Sequence, residues 1–307
     1  MNTILFPGQG TQIIGMGSEF YNNFDIVKNI FKEADNKLNY KISQIILEGP
    51  ENELKLTQNT QPAILIVSYA IFSVLKKEFN YDFKSTKYFA GHSLGEYSAL
   101  VCAESLDFND ALYLLYERGK AMQEAVPVGK GSMIAVLGAK IEEIKNFIND
   151  KKINGVCEIA NDNAEGQTII SGDINSINLL QLILKENKKK FIPLNVSAPF
   201  HCSLMKSAEL KMKEKILSIK FKKPKFDIVS NVTSRPENNA DIIKKLLIEQ
   251  ICSTVRWRES IINMSKENIT EYIEIGPGKV LSGMVKRTLK DINSFSINTI
   301  DDIKKII

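Results

Sequence analysis

Residues 91–95, Gly-His-Ser-Leu-Gly, are the stretch of this chain with the clearest capacity for chemistry. They have Gly-x-Ser-x-Gly spacing and lie between a short apolar run and a helix of small residues that begins at Gly95. Glycines on both sides let a strand turn sharply into a helix, because neighbouring Cβ atoms would collide there. Such a turn exposes the serine hydroxyl. Ser93 is therefore predicted to be a nucleophile.

A serine hydroxyl needs a base to take its proton, and the chain has only two histidines. His92 adjoins Ser93 on the turn, where neighbouring side chains point apart, so it is not expected to reach the hydroxyl. His201 is therefore the predicted base. We place it at a helix start, where the helix dipole favours the uncharged imidazole. A carboxylate or a backbone carbonyl would orient it, and the residues alone do not choose between them.

Acyl transfer also needs two donors for an oxyanion. The backbone N–H of Leu94 follows the nucleophile and is one candidate. The turn at residues 8–10, Gly-Gln-Gly, follows the first predicted strand and could bring the second. A nucleotide-binding role for this turn is rejected, because it lacks a Gly-Lys-Ser/Thr ending and Ile13 stands where a dinucleotide-binding motif has its third glycine.

Arg118 lies on the apolar stripe of a helix predicted over 110–125, with Asp110 as its N-cap. The stripe repeats at helical spacing and consists of Ala111, Leu114, Leu115, Arg118 and Met122. An arginine at a core-facing position either pairs with a structural glutamate or waits at a pocket floor for a carboxylate. Both interpretations stay open at this point.

Composition limits the classes of function. The 307 residues carry a formal charge of +4, which is too balanced for a nucleic-acid-binding protein. Four scattered cysteines predict neither a disulfide framework nor a metal site. The longest apolar run, 62–75, is too short to span a membrane. Because a predicted strand follows Met1 almost directly, we expect no signal peptide and a soluble, cytoplasmic protein.

Hydrophobic periodicity predicts an α/β protein. A strand at 3–6, helices at 19–38 and 62–78 (the latter opened by Pro62) and the turn at Ser93 come first. Residues 127–196 then show the order β-α-β-β-α-β of a ferredoxin-like unit. Strands and helices alternate again afterwards. We therefore predict a large α/β-hydrolase-like domain with a mostly parallel sheet, formed by 1–126 and 197–307, and an inserted ferredoxin-like subdomain over 127–196.

The chain also resembles a known family, the malonyl-CoA:acyl carrier protein transacylases, over essentially its whole length. Seven motifs occur in the family's order: residues 6–12 (Phe-Pro-Gly-Gln-Gly-Thr-Gln), 60–63 (Thr-Gln-Pro-Ala), 91–97 (Gly-His-Ser-Leu-Gly-Glu-Tyr), 118–123 (Arg-Gly-Lys-Ala-Met-Gln), 198–201 (Ala-Pro-Phe-His), 255–257 (Val-Arg-Trp) and 274–279 (Glu-Ile-Gly-Pro-Gly-Lys). Their combination is far more specific than Gly-x-Ser-x-Gly alone.

The resemblance implies a reaction and a set of roles. Ser93 would carry a malonyl ester, His201 would activate it, and Arg118 would pair with the malonyl carboxylate. The thiol of an acyl carrier protein's phosphopantetheine would then take the malonyl group, with malonyl-CoA as a substrate and no cofactor.

The remaining roles implied by the resemblance concern the pocket around Ser93. The backbone N–H groups of Gln9 and Leu94 would form the oxyanion hole, and the backbone carbonyl of Arg256 would hold His201. Gln61 would line the pocket, and Phe200 resembles its counterpart in malonyl-selective members. Met122, on the stripe of Arg118, completes the predicted substrate-binding residues.

Three other functions compete with this one. An esterase or lipase would use the same turn but usually carries a His-Gly-Gly-Gly-type loop. An acyltransferase serving a polyketide assembly line is closer, and a catalytically silent scaffold that binds carrier protein belongs to another class. The cations at 188–190 are either a solvated turn or a contact for an acidic carrier.

Overall fold

A computed structural model describes residues 1–150, 152–196 and 198–307 of the chain. Its strands form two separate sheets, one of six strands and one of four. The strands are β1 Asn2–Phe6, β2 Thr86–Gly91, β3 Gly131–Leu137, β4 Cys157–Ala164, β5 Gln167–Asp173, β6 Lys190–Pro193, β7 Asp227–Val229, β8 Pro236–Glu237, β9 Glu271–Ile275 and β10 Asn293–Ile297.

The larger sheet has the order β10-β9-β1-β2-β7-β8. Its first five strands run parallel, and only β8 pairs antiparallel, with β7. Parallel strands of this kind are apolar on both faces because helices cover both sides. All five residues of β1 are accordingly buried. The carboxyl ends of these parallel strands meet at one edge of the sheet, which is where α/β proteins place their sites.

Helices and short 3-10 turns cover the sheets. The α-helices of the described chain are α1 Ser18–Asn23, α2 Asp25–Leu38, α3 Ile42–Leu47, α4 Glu51–Lys55, α5 Thr57–Lys77, α6 Gly95–Cys102, α7 Phe108–Glu124, α8 Ile141–Ile148, α9 Ile174–Glu186, α10 Lys206–Ser218, α11 Ala240–Glu249, α12 Trp257–Ser265, α13 Val280–Thr288 and α14 Ile300–Ile303. Every residue of α6 is buried, and α5 packs against both α6 and α7. The predicted nucleophile lies just before α6, and α7 carries Arg118.

The smaller sheet is antiparallel throughout, in the order β4-β5-β3-β6. Helices α8 and α9 pack on it around a separate apolar core that includes Ile134, Ile170 and Leu180. The element order over this stretch is β-α-β-β-α-β, as predicted. Val255 of the larger part lies outside both sheets and forms an isolated parallel bridge with Asn161 of β4, which connects the larger part to the smaller sheet.

The prediction of an α/β chain with a mostly parallel sheet is confirmed. The predicted boundary at 197 lies outside the described residues. Sequence patterns did not predict α12 or β10. Both are short segments whose apolar residues pack on neighbours far away in sequence.

The prediction that Pro62 opens a helix is wrong. Helix α5 begins at Thr57, and its first turn is closed by the Leu56 carbonyl, which accepts hydrogen bonds from the N–H groups of Asn59 and Thr60 at 2.8 Å each. Proline lacks an N–H, so at the sixth position it removes only the helical bond to the Gln58 carbonyl. The helix tolerates this loss because apolar packing along most of its length supplies more stability than one hydrogen bond.

Two other predicted helix boundaries are also wrong. The helix predicted over 19–38 is broken at Phe24, whose extended backbone (φ −130°, ψ 122°) separates α1 from α2. The N-cap of α7 is Asp107 and not Asp110. The Asp107 carboxylate accepts from the N–H of Asn109 at 2.9 Å, and Asp110 lies inside the first turn. Both aspartates suit a cap, so only the backbone conformation distinguishes them.

Candidate active site

Ser93 lies on the turn between β2 and α6, as predicted. Its φ of +53° is a left-handed value that a residue other than glycine adopts only under constraint. The constraint is visible in its surroundings, because the Ser93 N–H donates to Asn231 Oδ1 at 2.7 Å and the Ser93 carbonyl accepts from Gln250 Nε2 at 3.1 Å. The strained corner is therefore held from both sides of the peptide.

Gly91 and Gly95 make this corner possible, because a Cβ on Gly91 would lie 1.9 Å from the Gly95 carbonyl. We expect Gly91→Ala to lower the free energy of unfolding by about 3 kcal/mol or more, since backbone and not a flexible side chain is in the way. Denaturant unfolding would measure the loss. Gly283→Ala is the matched control: it lies inside α13 with nothing within 4 Å of the added Cβ, so it is expected to be neutral or mildly stabilising. Equal stability of the two variants would contradict the steric argument.

His201 is in contact with Ser93. The Ser93 Oγ lies 2.7 Å from His201 Nε2, and His201 Nδ1 lies 2.9 Å from the Gln250 carbonyl oxygen. A carbonyl only accepts, so Nδ1 carries the proton and donates to it. The Nε2 atom then carries the free lone pair, which can accept the serine proton. This is the tautomer that a general base for Ser93 requires.

Burial lowers the pKa of His201 to about 3, and the positive charge of Arg118 adds to this effect. The imidazole is therefore uncharged, as predicted from the sequence, but the predicted cause is wrong. His201 has a left-handed backbone (φ +57°) and precedes a 3-10 turn, while α10 begins only at Lys206. Burial and a neighbouring cation keep the base uncharged, and a helix dipole is not needed.

The predicted role of Arg256 is also wrong. The carbonyl that holds His201 belongs to Gln250, while the Arg256 carbonyl accepts from the N–H and hydroxyl of Ser260 inside α12. The Arg256 side chain pairs with Glu259 on the surface. Since Arg256 begins α12, its carbonyl is committed to the first turn of that helix.

Arg118 is 1% exposed and lies on the buried stripe of α7, as predicted. Its Nη1 donates to Gln61 Oε1 at 2.8 Å, and its Nη2 donates to Ser93 Oγ at 3.1 Å and to Gln250 Oε1 at 2.9 Å. None of these acceptors is a carboxylate. Its Nε has no hydrogen-bond partner among the described residues. A buried cation with uncharged partners and a spare donor has the features of a carboxylate-binding group.

A cavity of about 380 Å³ opens onto Ser93. Its walls come from both parts of the chain. Gln9 and His201 belong to the larger part, while Asn161 and Gln167 belong to the smaller one. The other predicted substrate residues, Gln61, Arg118, Met122 and Phe200, line it as well.

The two predicted oxyanion donors lie at the same corner. The first strand ends beside the second, with Phe6 opposite Gly91, so the loop at Gly8 contacts the His92 backbone closely. Within the described residues, the N–H groups of Gln9 and Leu94 have no hydrogen-bond acceptor, so both stay free for a ligand. Their joint role in an oxyanion hole stays a prediction.

His92 faces away from the nucleophile. Its Nε2 lies 2.9 Å from Asn163 Oδ1, and burial lowers its pKa. The predicted exclusion of His92 as the base for Ser93 is consistent with this contact. Instead the ring connects the turn to β4 of the smaller sheet.

Sequence reasoning missed three residues behind the turn: Glu96, Asn231 and Gln250. Glu96 carried a usable signal, because it is an acidic residue inside a helix of small and apolar residues. Asn231 follows β7 and Gln250 ends α11, and neutral amides at such positions give no signal of a site. Their importance comes only from their position beside Ser93.

The cations at 188–190 are partly neutralised. Lys189 Nζ lies 2.7 Å from Glu143 Oε1, while Lys188 and Lys190 are exposed. In the described parts of the chain, no helix is long and apolar enough to cross a membrane, and no cluster of three His, Cys, Asp or Glu side chains could hold a metal ion.

Comparison with known proteins gives the class first. A family model described as "Acyl transferase domain" matches residues 3–305. A serine on a strand-to-helix turn beside a histidine is the arrangement expected of a protein that forms acyl esters.

The names of individual relatives are narrower than the description of the family model. The chain is 44% identical over 306 residues to the malonyl CoA-acyl carrier protein transacylase of Bacillus subtilis (strain 168), which covers 99% of this chain and 95% of that protein. A solved acyl-carrier-protein-S-malonyltransferase from Bartonella henselae is 38% identical, with a TM-score of 0.96 over 99% of this chain and 97% of that one.

A third relative, a malonyl-transacylase solved in complex with its holo type II PKS acyl-carrier protein, is 36% identical, with a TM-score of 0.95 over 99% of this chain and 98% of that one. This chain belongs to the malonyl-CoA:acyl carrier protein transacylase family.

Proposed function

We propose that this chain transfers the malonyl group of malonyl-CoA to the phosphopantetheine thiol of an acyl carrier protein, in fatty acid biosynthesis. The single observation that carries the proposal is the position of Ser93 Oγ, which lies 2.7 Å from the free nitrogen of His201 and 3.1 Å from the guanidinium of Arg118. A base and a carboxylate-binding cation thus meet at one nucleophile. The names of the relatives support the same reaction.

The first half of the reaction loads the serine. His201 Nε2 takes the hydroxyl proton as Ser93 Oγ attacks the thioester carbonyl, and the N–H groups of Gln9 and Leu94 stabilise the oxyanion. When the intermediate collapses, the C–S bond breaks and the proton on His201 passes to the departing CoA sulfur. The products are a malonyl ester on Ser93 and free CoA.

The second half repeats these steps with a different thiol. The phosphopantetheine thiol enters the same cavity, gives its proton to His201 and attacks the ester carbonyl. The ester bond breaks, and Ser93 recovers its proton from His201. One base thus serves twice, and the chain needs no cofactor for this chemistry. Because both substrates are soluble metabolic carriers, we propose the cytoplasm as the compartment.

Arg118 supplies selectivity in this proposal. A planar guanidinium can bind the malonyl carboxylate through two parallel hydrogen bonds, while an acetyl group offers no acceptor there. Gln61 holds Arg118 from α5, and Met122 forms the adjoining apolar wall.

Phe200 restricts the space beside the α-carbon of the acyl group. It lines the cavity next to His201 and is 8% exposed. We expect Phe200→Ala to raise transfer of methylmalonyl relative to malonyl by about tenfold, because one methyl group changes binding in a tight apolar pocket by 1–3 kcal/mol. Competition between the two CoA esters would measure the ratio.

Phe221→Ala is the matched control for this substitution. Phe221 is equally buried but does not line the cavity. It should lower stability and leave the ratio of the two acyl groups unchanged. A ratio that also stays unchanged in Phe200→Ala would contradict the proposed role of Phe200.

We also propose that the fold is an α/β-hydrolase-like domain, 1–126 and 197–307, with a ferredoxin-like insert over 127–196. The order β4-β5-β3-β6 of the smaller sheet and its separate core support this division. The cleft between the two sheets would then admit the phosphopantetheine arm.

Intact-protein mass spectrometry after brief exposure to malonyl-CoA tests the proposed function. We expect one malonyl adduct, which added holo carrier protein discharges. Steady release of free malonate without an adduct would indicate a hydrolase, and no reaction would favour a silent scaffold. Carriers from fatty acid and polyketide systems, compared side by side, would distinguish the two pathways.

A further inference from the structure

A buried carboxyl group lies behind the turn, in a position that the reaction described above does not use. Glu96 is the second residue of α6 and is 2% exposed. Its Oε2 accepts from the Asn231 N–H at 3.1 Å and from Gln250 Nε2 at 2.8 Å. Both donors also hold Ser93 or its neighbours, since Asn231 Oδ1 accepts from the Ser93 N–H and Asn231 Nδ2 donates to the Gly91 carbonyl.

Gln250 connects this carboxyl group to Arg118. Its Oε1 accepts from Arg118 Nη2 at 2.9 Å, while its Nε2 donates to Glu96 at 2.8 Å. The amide thus stands between the cation and the anion and is polarised by both. A buried charge needs compensation, and the structure supplies it through an amide in place of a direct ion pair.

The spacing has a chemical consequence. A carboxylate paired directly with Arg118 would occupy the fork that the substrate needs. With the amide between them, Glu96 compensates the charge and does not occupy the Arg118 Nε, which has no partner among the described residues. The same negative charge still repels an incoming malonyl carboxylate, while an acetyl group does not feel this repulsion.

We propose that Glu96 is a specificity-determining residue that acts through Gln250 as the resting counter-charge of Arg118 and weakens the hold of Arg118 on the malonyl carboxylate. The proposal rests on the proposed function, because it concerns that substrate. A weaker hold on the malonyl carboxylate favours turnover. A site that must accept malonyl from CoA and then release it to a carrier gains nothing from binding it too tightly in the ground state.

Substitution of Glu96 by glutamine tests this role with almost no change of shape. It removes the repulsion felt only by malonyl. The ratio of malonyl-CoA to acetyl-CoA acylation rates should therefore rise by about tenfold, the size expected for two unit charges roughly 12 Å apart at an effective dielectric constant near 20. The KM for malonyl-CoA should fall. Any loss of His201 basicity affects both acyl groups alike and cancels in the ratio.

The unmodified protein offers an independent readout. Burial raises the pKa of Glu96 to about 7, against the lowering effect of its donors and of Arg118. Protonation removes the negative charge, so the malonyl-to-acetyl ratio should rise as the pH falls from 8 to 6. In Glu96→Gln the ratio should not change with pH.

Other ionisable groups near Glu96 do not produce this trend. Burial raises the pKa of Tyr97 to about 12. Burial lowers the pKa of Arg118 on α7, but a guanidinium group is not deprotonated in proteins, so its charge does not change in this range. Burial lowers the pKa of His92 and brings that of His201 to about 3, which opposes any gain of the positive charge on these rings that would favour malonyl at lower pH. The malonyl carboxylate stays ionised above pH 6, and the CoA phosphates are common to both esters.

Glu274→Gln is the matched control. Glu274 is also fully buried, and burial likewise raises its pKa to about 7, but its carboxylate accepts from the N–H groups of Leu281 and Ser282 at the start of α13. It is not connected to Arg118, so its substitution should leave the ratio and its pH dependence as they are.

The experiment measures rates of acyl-enzyme formation from malonyl-CoA and acetyl-CoA by rapid quenching and mass spectrometry. A rise in the ratio for Glu96→Gln only, with loss of its pH dependence, supports the proposal. Equal losses for both acyl groups in Glu96→Gln would overturn it. A pH-independent ratio in the unmodified protein would also overturn it, and this second test does not require that Glu96→Gln folds. The absence of malonyl acylation in the unmodified protein would instead refute the proposed function.

Discussion

Substitution of Ser93 by alanine is expected to abolish the malonyl adduct and to lower malonyl transfer by about 10⁴-fold or more. In the proposed reaction the covalent ester forms on this hydroxyl, which both His201 Nε2 and Arg118 Nη2 contact. Losses of this size are typical when the nucleophile of a serine enzyme is removed. Steady-state transfer and intact-protein mass spectrometry measure the two effects.

Ser98→Ala is the control for this substitution. Ser98 is a buried serine on the same helix, α6, and its hydroxyl has no hydrogen-bond partner among the described residues. Its removal should leave both the adduct and the stability intact. A malonyl adduct of normal yield on Ser93→Ala would refute the assignment of the nucleophile.

Substitution of Arg118 by alanine is expected to lower malonyl transfer by about 10²–10³-fold while sparing or raising acetyl transfer. Among the described residues of the cavity wall, Arg118 is the only buried cation, so the malonyl carboxylate would lose its partner. An unpaired buried charge costs about 2–5 kcal/mol. An acetyl group has no carboxylate to lose. Acylation rates with both CoA esters measure the change in selectivity.

Two other variants sharpen this test. Arg118→Lys keeps the charge but not the planar fork. Its malonyl transfer should therefore lie between that of the unmodified protein and that of Arg118→Ala. Arg256→Ala removes an arginine that pairs with Glu259 at the surface, and it should leave selectivity unchanged. Equal losses for malonyl and acetyl in Arg118→Ala would show that Arg118 supports the fold and not the choice of substrate.

Local spacing was sufficient to predict three side chains that the structure brings into contact. Ser93 is marked by its flanking glycines, His201 by the scarcity of histidine, and Arg118 by a charge on an apolar stripe. Each of these signals lies in the sequence itself, because the unusual residue type or spacing is visible without knowledge of distant neighbours. The strands and helices that carry these residues were predicted for the same reason.

The supporting groups could not be predicted in this way. A backbone carbonyl holds His201, and every residue has one, so nothing in the sequence distinguishes Gln250 from Arg256. Asn231 becomes important only because β7 lies beside β2. The uncharged state of His201 was predicted correctly but for the wrong reason. A helix start can be predicted from a few residues, whereas the burial that keeps the ring uncharged depends on the whole fold.

The bridge between Val255 and β4 has a consequence for protein engineering. The Val255 N–H donates to the Ala160 carbonyl at 2.8 Å, and the Asp162 N–H donates to the Val255 carbonyl at 3.0 Å, so β4 anchors the loop that follows Gln250. The smaller unit is therefore more than a wall of the cavity, because it anchors the segment after Gln250, whose carbonyl contacts His201. We expect chimeras that exchange this unit between acyltransferases to keep the histidine aligned only when they also carry the matching 250–256 loop.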